Sequence, residues 1–301
     1  MPPHVATRLA LALLLAAAAC TSSAAPRDTQ PMPPPAASSP IATGHAPVNG
    51  ISMYYELHGP QHPVAPVPLV LLHGGGSTIE VTFGKVLPLL ARDRRVIAVE
   101  EQGHGRTTDR DAPVAFETSA DDVAALLRFL QVERADLFGF SNGASVALQV
   151  AIRHPELVRK LVFASSFTKH DGARPEFWEF MAHADFSSMP QPLKDAYLRV
   201  NPDPQKLRTM HDKDLARMQH FQDVPDELLR SVRAPTLIVG GDQDIMQPEH
   251  LVELTHLIPG ARLLVLPGGY GDYLGELVMT PPGSRDYELT ARLVEEFLDA
   301  P

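Results

Sequence analysis

The sequence predicts an α/β fold, with a mostly parallel sheet and helices on both of its faces. Two features carry that expectation. Residues 68–72 (Pro-Leu-Val-Leu-Leu) and 95–99 (Arg-Val-Ile-Ala-Val) are short apolar runs of strand length. Between such runs lie amphipathic stretches of helical period, the clearest over 119–131. Strands that are apolar on both faces and alternate with helices belong to a parallel sheet covered on both sides.

The remaining elements follow in order. Residues 53–57 read as an early strand. The helix over 119–131 carries the apolar stripe Val123, Leu126, Leu127 and Leu130, with Thr118 or Ser119 expected as its cap and Asp121 and Asp122 in its first turn. Residues 135–138 read as a strand and 143–154 as a helix. Strands are expected over 160–164, 235–239 and 261–266, with helices over 248–257 and 286–298. The last helix is expected to bury Leu289, Leu293 and Phe297. From about 165 to 232 this pattern breaks into short helical segments rich in aromatic residues and methionine, as an inserted helical cap would. Phe177, Trp178 and Met181 in that stretch are the candidates for lining an apolar substrate pocket.

Composition excludes several function classes. The chain has 26 basic and 36 acidic residues, a formal net charge of −10. It has no excess of Lys and Arg with which to neutralise phosphates, so a nucleic-acid partner is not expected. The hydrophobic fraction of 44 % suits a globular protein with a sizeable core. No metal-ligand cluster and no nucleotide-binding loop is visible, so no metal and no cofactor is expected. Cys20 is the only cysteine, which rules out an intramolecular disulfide.

The N-terminus reads as an export signal. Arg8 precedes eleven apolar residues, 9–19, too few to span a bilayer comfortably. Ala17-Ala18-Ala19-Cys20 resembles a bacterial lipobox, which makes Cys20 the candidate lipidation site. Residues 21–47, rich in Pro, Ala, Ser and Thr, read as a disordered tether, and the folded domain is expected to begin at residue 48. The expected location is the bacterial cell envelope, with membrane attachment through a lipid anchor only.

Three motifs carry chemistry. Gly139-Phe140-Ser141-Asn142-Gly143 places a serine between a strand and a helix, where a sharp turn pushes the hydroxyl into a pocket. His73-Gly74-Gly75-Gly76 follows an early strand and lets the main chain approach a ligand closely. Gly241-Asp242-Gln243-Asp244 follows a late strand. Together, in this order and from residue 48 to the C-terminus, they make the chain resemble the α/β-hydrolase superfamily, closest to capped members with a serine nucleophile.

That resemblance implies roles. Ser141 is the nucleophile toward a carbonyl carbon, in an ester or a similar small substrate. The backbone N–H groups of Asn142 and of Gly75 or Gly74 hold the oxyanion. Asp244 is the acid that orients the base, with Asp242 as the competing choice. His73 and His104 are expected to be structural. Relatives carry the base histidine in the loop after the last strand, before a Gly-Asp-Tyr stretch. Here Tyr270 holds that position, and the two histidines after Asp244, His250 and His256, fall on a helix. Two functions stay open at this stage. One is a serine hydrolase whose base position is substituted, or whose base comes from a cap histidine. The other is a catalytically impaired small-molecule binding protein of the envelope.

Overall fold

A computed structural model describes residues 39–301. The expected signal, Cys20 and most of the expected tether lie outside the described residues. Among the described residues no helix is long and apolar enough to cross a membrane.

In chain order the elements are β1 (Ala42–Val48), β2 (Ile51–His58), β3 (Ala65–Leu72), α1 (Ile79–Phe83), α2 (Leu87–Leu90), β4 (Arg94–Val99), α3 (Phe116–Phe129), β5 (Ala135–Phe140) and α4 (Asn142–Arg153). They continue with β6 (Val158–Ala164), α5 (Pro175–His183), α6 (Gln191–Val200), α7 (Pro204–Gln219), α8 (Asp226–Ser231), β7 (Thr236–Gln243), α9 (Pro248–Leu257), β8 (Arg262–Gly269) and α10 (Asp286–Asp299). The strands form one sheet of eight, in the order β1-β2-β4-β3-β5-β6-β7-β8. β1 and β2 pair antiparallel, as do β2 and β4, and every other pairing is parallel.

Alternation along the strands builds two cores, because successive side chains point to opposite faces of a sheet. In β3, Val70 and Leu72 join the core under α3, α4 and α9, while Leu69 and Leu71 join the core under α1, α2 and α10. In β4, Ile97 and Val99 go to the first core, Val96 and Ala98 to the second. Removing each such leucine or valine from water contributes roughly 1.5–3 kcal/mol. The carboxyl ends of β3 to β7 therefore rest on a rigid two-sided support. Ligands of open α/β sheets bind beyond those ends.

Three expectations need correction. The chain enters the sheet at Ala42, six residues before the expected domain start at 48, because Ala46 and Val48 are buried against the first core. Gly44 and Pro47 disguise this strand in the sequence, but an edge strand tolerates proline. Helix α3 starts at Phe116, so Thr118 and Ser119 lie inside it and its N-cap, Ala115, makes no side-chain bond. Asp122 is then mid-helix and buried, where it accepts from Asn49 Nδ2 at 3.0 Å and pairs with Arg110. In α10 the buried stripe is Tyr287, Ala291, Val294 and Leu298, with Phe297 beside it, and Leu289 faces solvent.

The cap is helical, as expected, and is built from α5, α6 and α7. It is shorter than the stretch to residue 232. Leu229 of α8 and the following Val232 are buried in the core beneath α3, α4 and α9.

Candidate active site

Ser141 sits between β5 and α4 with φ 55° and ψ −123°, a left-handed conformation rare outside glycine. The strain is held by packing. A Cβ on Gly139 would lie 2.5 Å from Ala144 Cα, and one on Gly143 would lie 2.5 Å from the His73 carbonyl oxygen. Only glycines let α4 seat this closely on β3 and β5. The Ser141 amide donates to Ala164 O at 2.9 Å, which fixes the turn to β6. The Ser141 side chain is half-buried.

The oxyanion candidates separate. Gly74 N–H is taken by Thr82 Oγ1 at 3.3 Å, so Gly74 does not serve as a donor. Gly75 N–H and Asn142 N–H have no partner among the described residues. Asn142 opens α4, where the first amides of a helix have no intrahelical acceptor and the helix dipole favours negative charge. Gly74 still matters: its Cα faces Ser141, and a Cβ there would lie 3.5 Å from Ser141 Cβ.

Asp244 is 1 % exposed. Its Oδ2 accepts from Ser165 Oγ at 2.6 Å and from Gly241 N–H at 3.1 Å, and its Oδ1 accepts from Ile245 N–H at 2.7 Å. Burial pushes its pKa up, and these three bonds pull it back. Ser165 Oγ also meets Tyr273 Oη at 2.6 Å, so a hydroxyl chain runs from Tyr273 through Ser165 to the carboxylate. Asp242 is exposed and accepts from Gly268 N–H at 2.9 Å, a loop tie and not a site group.

Tyr270 follows β8 directly, on the loop where the resemblance places the base. Its ring lies 4.9 Å from that of Phe140, centroid to centroid. Burial pushes the phenol pKa well above its ordinary value, and the negative charges of Asp244, Glu276 and Asp214 add to the rise. The Ser141 side chain pulls the other way and does not prevail. A phenol held protonated cannot take the serine proton at neutral pH.

Three of the buried histidines are engaged elsewhere. His73 Nδ1 donates to Gly74 O at 2.7 Å while its Nε2 accepts from Glu101 N–H at 3.1 Å, and burial lowers its pKa to about 4. His104 is likewise buried, with Nδ1 on Gln102 O at 3.0 Å and Nε2 3.2 Å from Gly76 N and 3.4 Å from Asp214 Oδ2. His250 Nε2 accepts from Thr168 N–H at 3.1 Å.

Phe177, Trp178 and Met181 are placed differently from their expected role. Trp178 packs on Phe167, Phe177, Phe221 and His170, with ring centroids 4.6–5.7 Å away, and donates from Nε1 to His170 O at 2.6 Å. All three residues pack against the core and fasten the base of the cap. A cavity of about 1080 Å³ lies nearby, lined by Phe116, Ser145, Leu148, Phe167 and Phe221 among others. Its walls include none of Phe177, Trp178, Met181, Ser141, Asp244 or Tyr270. It reaches Ser145, one helical turn beyond the nucleophile. Trp178→Ala is therefore expected to cost about 2 kcal/mol in urea unfolding, below the range for a fully buried tryptophan because the ring is half-exposed. Unchanged stability with an altered ester-chain preference would return Trp178 to the substrate wall.

Sequence reasoning missed Ser165, Tyr273, Glu101, Asp214 and Arg217 as parts of this region. For Ser165 a signal existed: it ends a strand on the side where ligands bind. Asp214 and Arg217, three apart on a polar helix, read as a solvated face.

Comparison with known proteins places this geometry. A family model for the alpha/beta hydrolase fold matches residues 67–189. A pimeloyl-[acyl-carrier protein] methyl ester esterase of Neisseria meningitidis is 30 % identical over 232 residues, 68 % of this chain and 86 % of that protein. The chain belongs to the α/β-hydrolase family. The serine hydrolase BPHL of Mus musculus is 28 % identical over 242 residues, covering 76 % of this chain and 80 % of its own. Among solved structures, Est816, an N-acyl homoserine lactone degrading enzyme, superposes with a TM-score of 0.64 at 26 % identity, over 84 % of this chain and 99 % of its own. The eight-stranded sheet, the inserted helices and the serine turn are those of an α/β hydrolase.

Proposed function

We propose that this protein hydrolyses small carboxylic esters through Ser141, with Gly75 and Asn142 amides as the oxyanion hole and Asp244 as the acid, and that its neutral-pH turnover is held down by Tyr270. The observation that supports this reading is Ser141 on its strained turn after β5, with the Gly75 and Asn142 amides without partners among the described residues. The methyl ester and the lactone named for two relatives support an ester-type substrate.

The chemistry divides into two half-reactions. Ser141 Oγ attacks the carbonyl carbon and loses its proton, and the carbonyl oxygen becomes an oxyanion facing Gly75 and Asn142. Collapse expels the alcohol, which takes up a proton, and leaves an acyl-serine. Water then attacks the acyl carbon by the same route and releases the acid. Each half needs a proton acceptor. With no side chain to serve, the proton goes to solvent, and the rate follows hydroxide.

The expected pH dependence follows from the direction of the Tyr270 shift. A raised phenol pKa keeps the basic form scarce throughout the neutral range. The kcat/KM for p-nitrophenyl acetate should climb about tenfold per pH unit from 6 to 9 without levelling off near the ~6.5 typical of histidine. The slope must disappear in Ser141→Ala. A plateau above pH 7 that depends on Ser141 would mean that another residue serves as base. Complete absence of Ser141-dependent turnover at pH 9 would favour a binding protein over an enzyme.

A further inference from the structure

A buried charge cluster joins the cap to the oxyanion loop, and neither the fold nor the triad accounts for it. Asp214 of α7 is 7 % exposed, Arg217 6 %, Glu101 1 % and His104 1 %. Arg217 Nη1 meets Glu101 Oε2 at 3.0 Å, and its other amino group pairs with Asp214 Oδ1. Glu101 Oε1 and Arg217 Nε have no partner among the described residues. A buried ionic cluster with open valences is a poor source of stability, since packed apolar side chains of equal volume do as well or better. Its value must lie in what it positions.

Asp214 shows what that is. Its Oδ2 accepts from Gly76 N–H at 2.7 Å, the amide next to the free Gly75 donor. Its Oδ1 accepts from Asn142 Nδ2 at 3.4 Å, the side chain of the residue that supplies the second free donor. A Cβ on Gly75 would lie 2.6 Å from Asp214 Oδ2, so the carboxylate presses against the loop itself. One cap carboxylate thus grips both halves of the oxyanion hole. A bare carboxylate so near would oppose a developing oxyanion. Arg217 neutralises it, and His104 stands 3.4 Å from the same oxygen. Arg217 holds the Asp214 carboxyl well below the usual carboxylate range, against the effect of burial.

We propose that Asp214 is a positioning residue for the oxyanion hole, through which docking of the cap sets the spacing of the Gly75 and Asn142 amides. The proposal rests on those two amides being the oxyanion donors. Asp214→Asn keeps the shape and one acceptor but loses the ion pair, and Asp214→Ala loses both. Hydrogen–deuterium exchange of the full chain should show the amides of residues 73–78 and 139–145 exchanging at least tenfold faster in Asp214→Ala, with a smaller rise in Asp214→Asn and little change elsewhere. In a Tyr270→His background, Asp214→Ala should lower kcat for p-nitrophenyl acetate about 100-fold with KM within twofold, the size expected when oxyanion donors are lost or misplaced. The exchange result does not depend on turnover, so it stands even if Tyr270→His proves inactive and the esterase reading fails. Exchange that is unchanged at 73–78 in both variants overturns the proposal. So does exchange that rises evenly along the chain with a lowered melting temperature, which would make Asp214 a packing residue only.

Discussion

Tyr270→His should raise hydrolysis of p-nitrophenyl acetate at pH 7.5 by at least about 10³-fold, equivalent to roughly 4 kcal/mol of transition-state stabilisation. Removing the histidine of a serine protease triad costs about 10⁶ in turnover, so the reverse change has room to act on this scale. The site is prepared for an imidazole. Asp244 Oδ1 accepts only from Ile245 N–H among the described residues, which leaves a lone pair for an imidazole N–H. Ser165 holds the other oxygen and keeps the carboxylate from turning away. Ser141 is close enough to Tyr270 to pull its pKa down. An imidazole with a pKa near ~6.5 is largely in its basic form at pH 7.5, whereas the phenol is not. Histidine is smaller than tyrosine, and the ring of Phe140 loses part of its neighbour, so recovery short of a natural triad is expected. Adding Ser141→Ala must abolish the gain. A folded Tyr270→His protein no faster than the parent would show that the base does not belong on this loop.

How much of this could be read from the residues divides along physical lines. The serine turn was legible because its geometry admits few residue types: glycines at 139 and 143 are the only way to bring α4 against β3 and β5. Order along the chain put Asp244 and Tyr270 on the loops after late strands, and the structure has them directly after β7 and β8. β1 was not, because an exposed edge strand with Gly44 and Pro47 buries only alternate positions. The stripe on α10 was misjudged because apolar content does not fix which way a helix is rolled, and Ala291 and Val294 took the place assigned to Leu289. The Asp214 cluster was invisible for a deeper reason. Its members come from α7 and from the loop after β4, far apart in the chain, and Asp214, Arg217 and Glu101 each look like an ordinary surface charge in the sequence.

Gly143→Ala should be among the most damaging single methyls in the described residues. The added Cβ would sit 2.5 Å from His73 O and closer still to Leu72 O, and both are main-chain atoms at the end of β3 that cannot swing aside. Overpacking of this kind costs about 3 kcal/mol or more, and any relief must displace the His73–Gly76 loop together with the oxyanion hole. Stability and Ser141 reactivity should therefore fall together. Gly50→Ala is the control. Gly50 has φ +85° and nothing within 4 Å of an added Cβ, so its loss should be limited to the left-handed backbone penalty, about 1–2 kcal/mol, with reactivity intact. Equal losses in urea unfolding for the two variants would mean that the fit of α4 against β3 does not govern the turn.

The most direct measurement of a site complete except for its base is the rate at which a fluorophosphonate probe modifies Ser141, followed by intact mass and peptide mapping. At pH 7.5 the parent protein should label slowly and accelerate with pH. Tyr270→His should label at least about 100-fold faster at the same residue, because the imidazole supplies the proton acceptor that the phenol withholds. Ser141→Ala should not label in either background. Rapid labelling of the parent at pH 7.5, lost in Ser141→Ala and unchanged in Tyr270→His, would contradict this reading and place the base elsewhere.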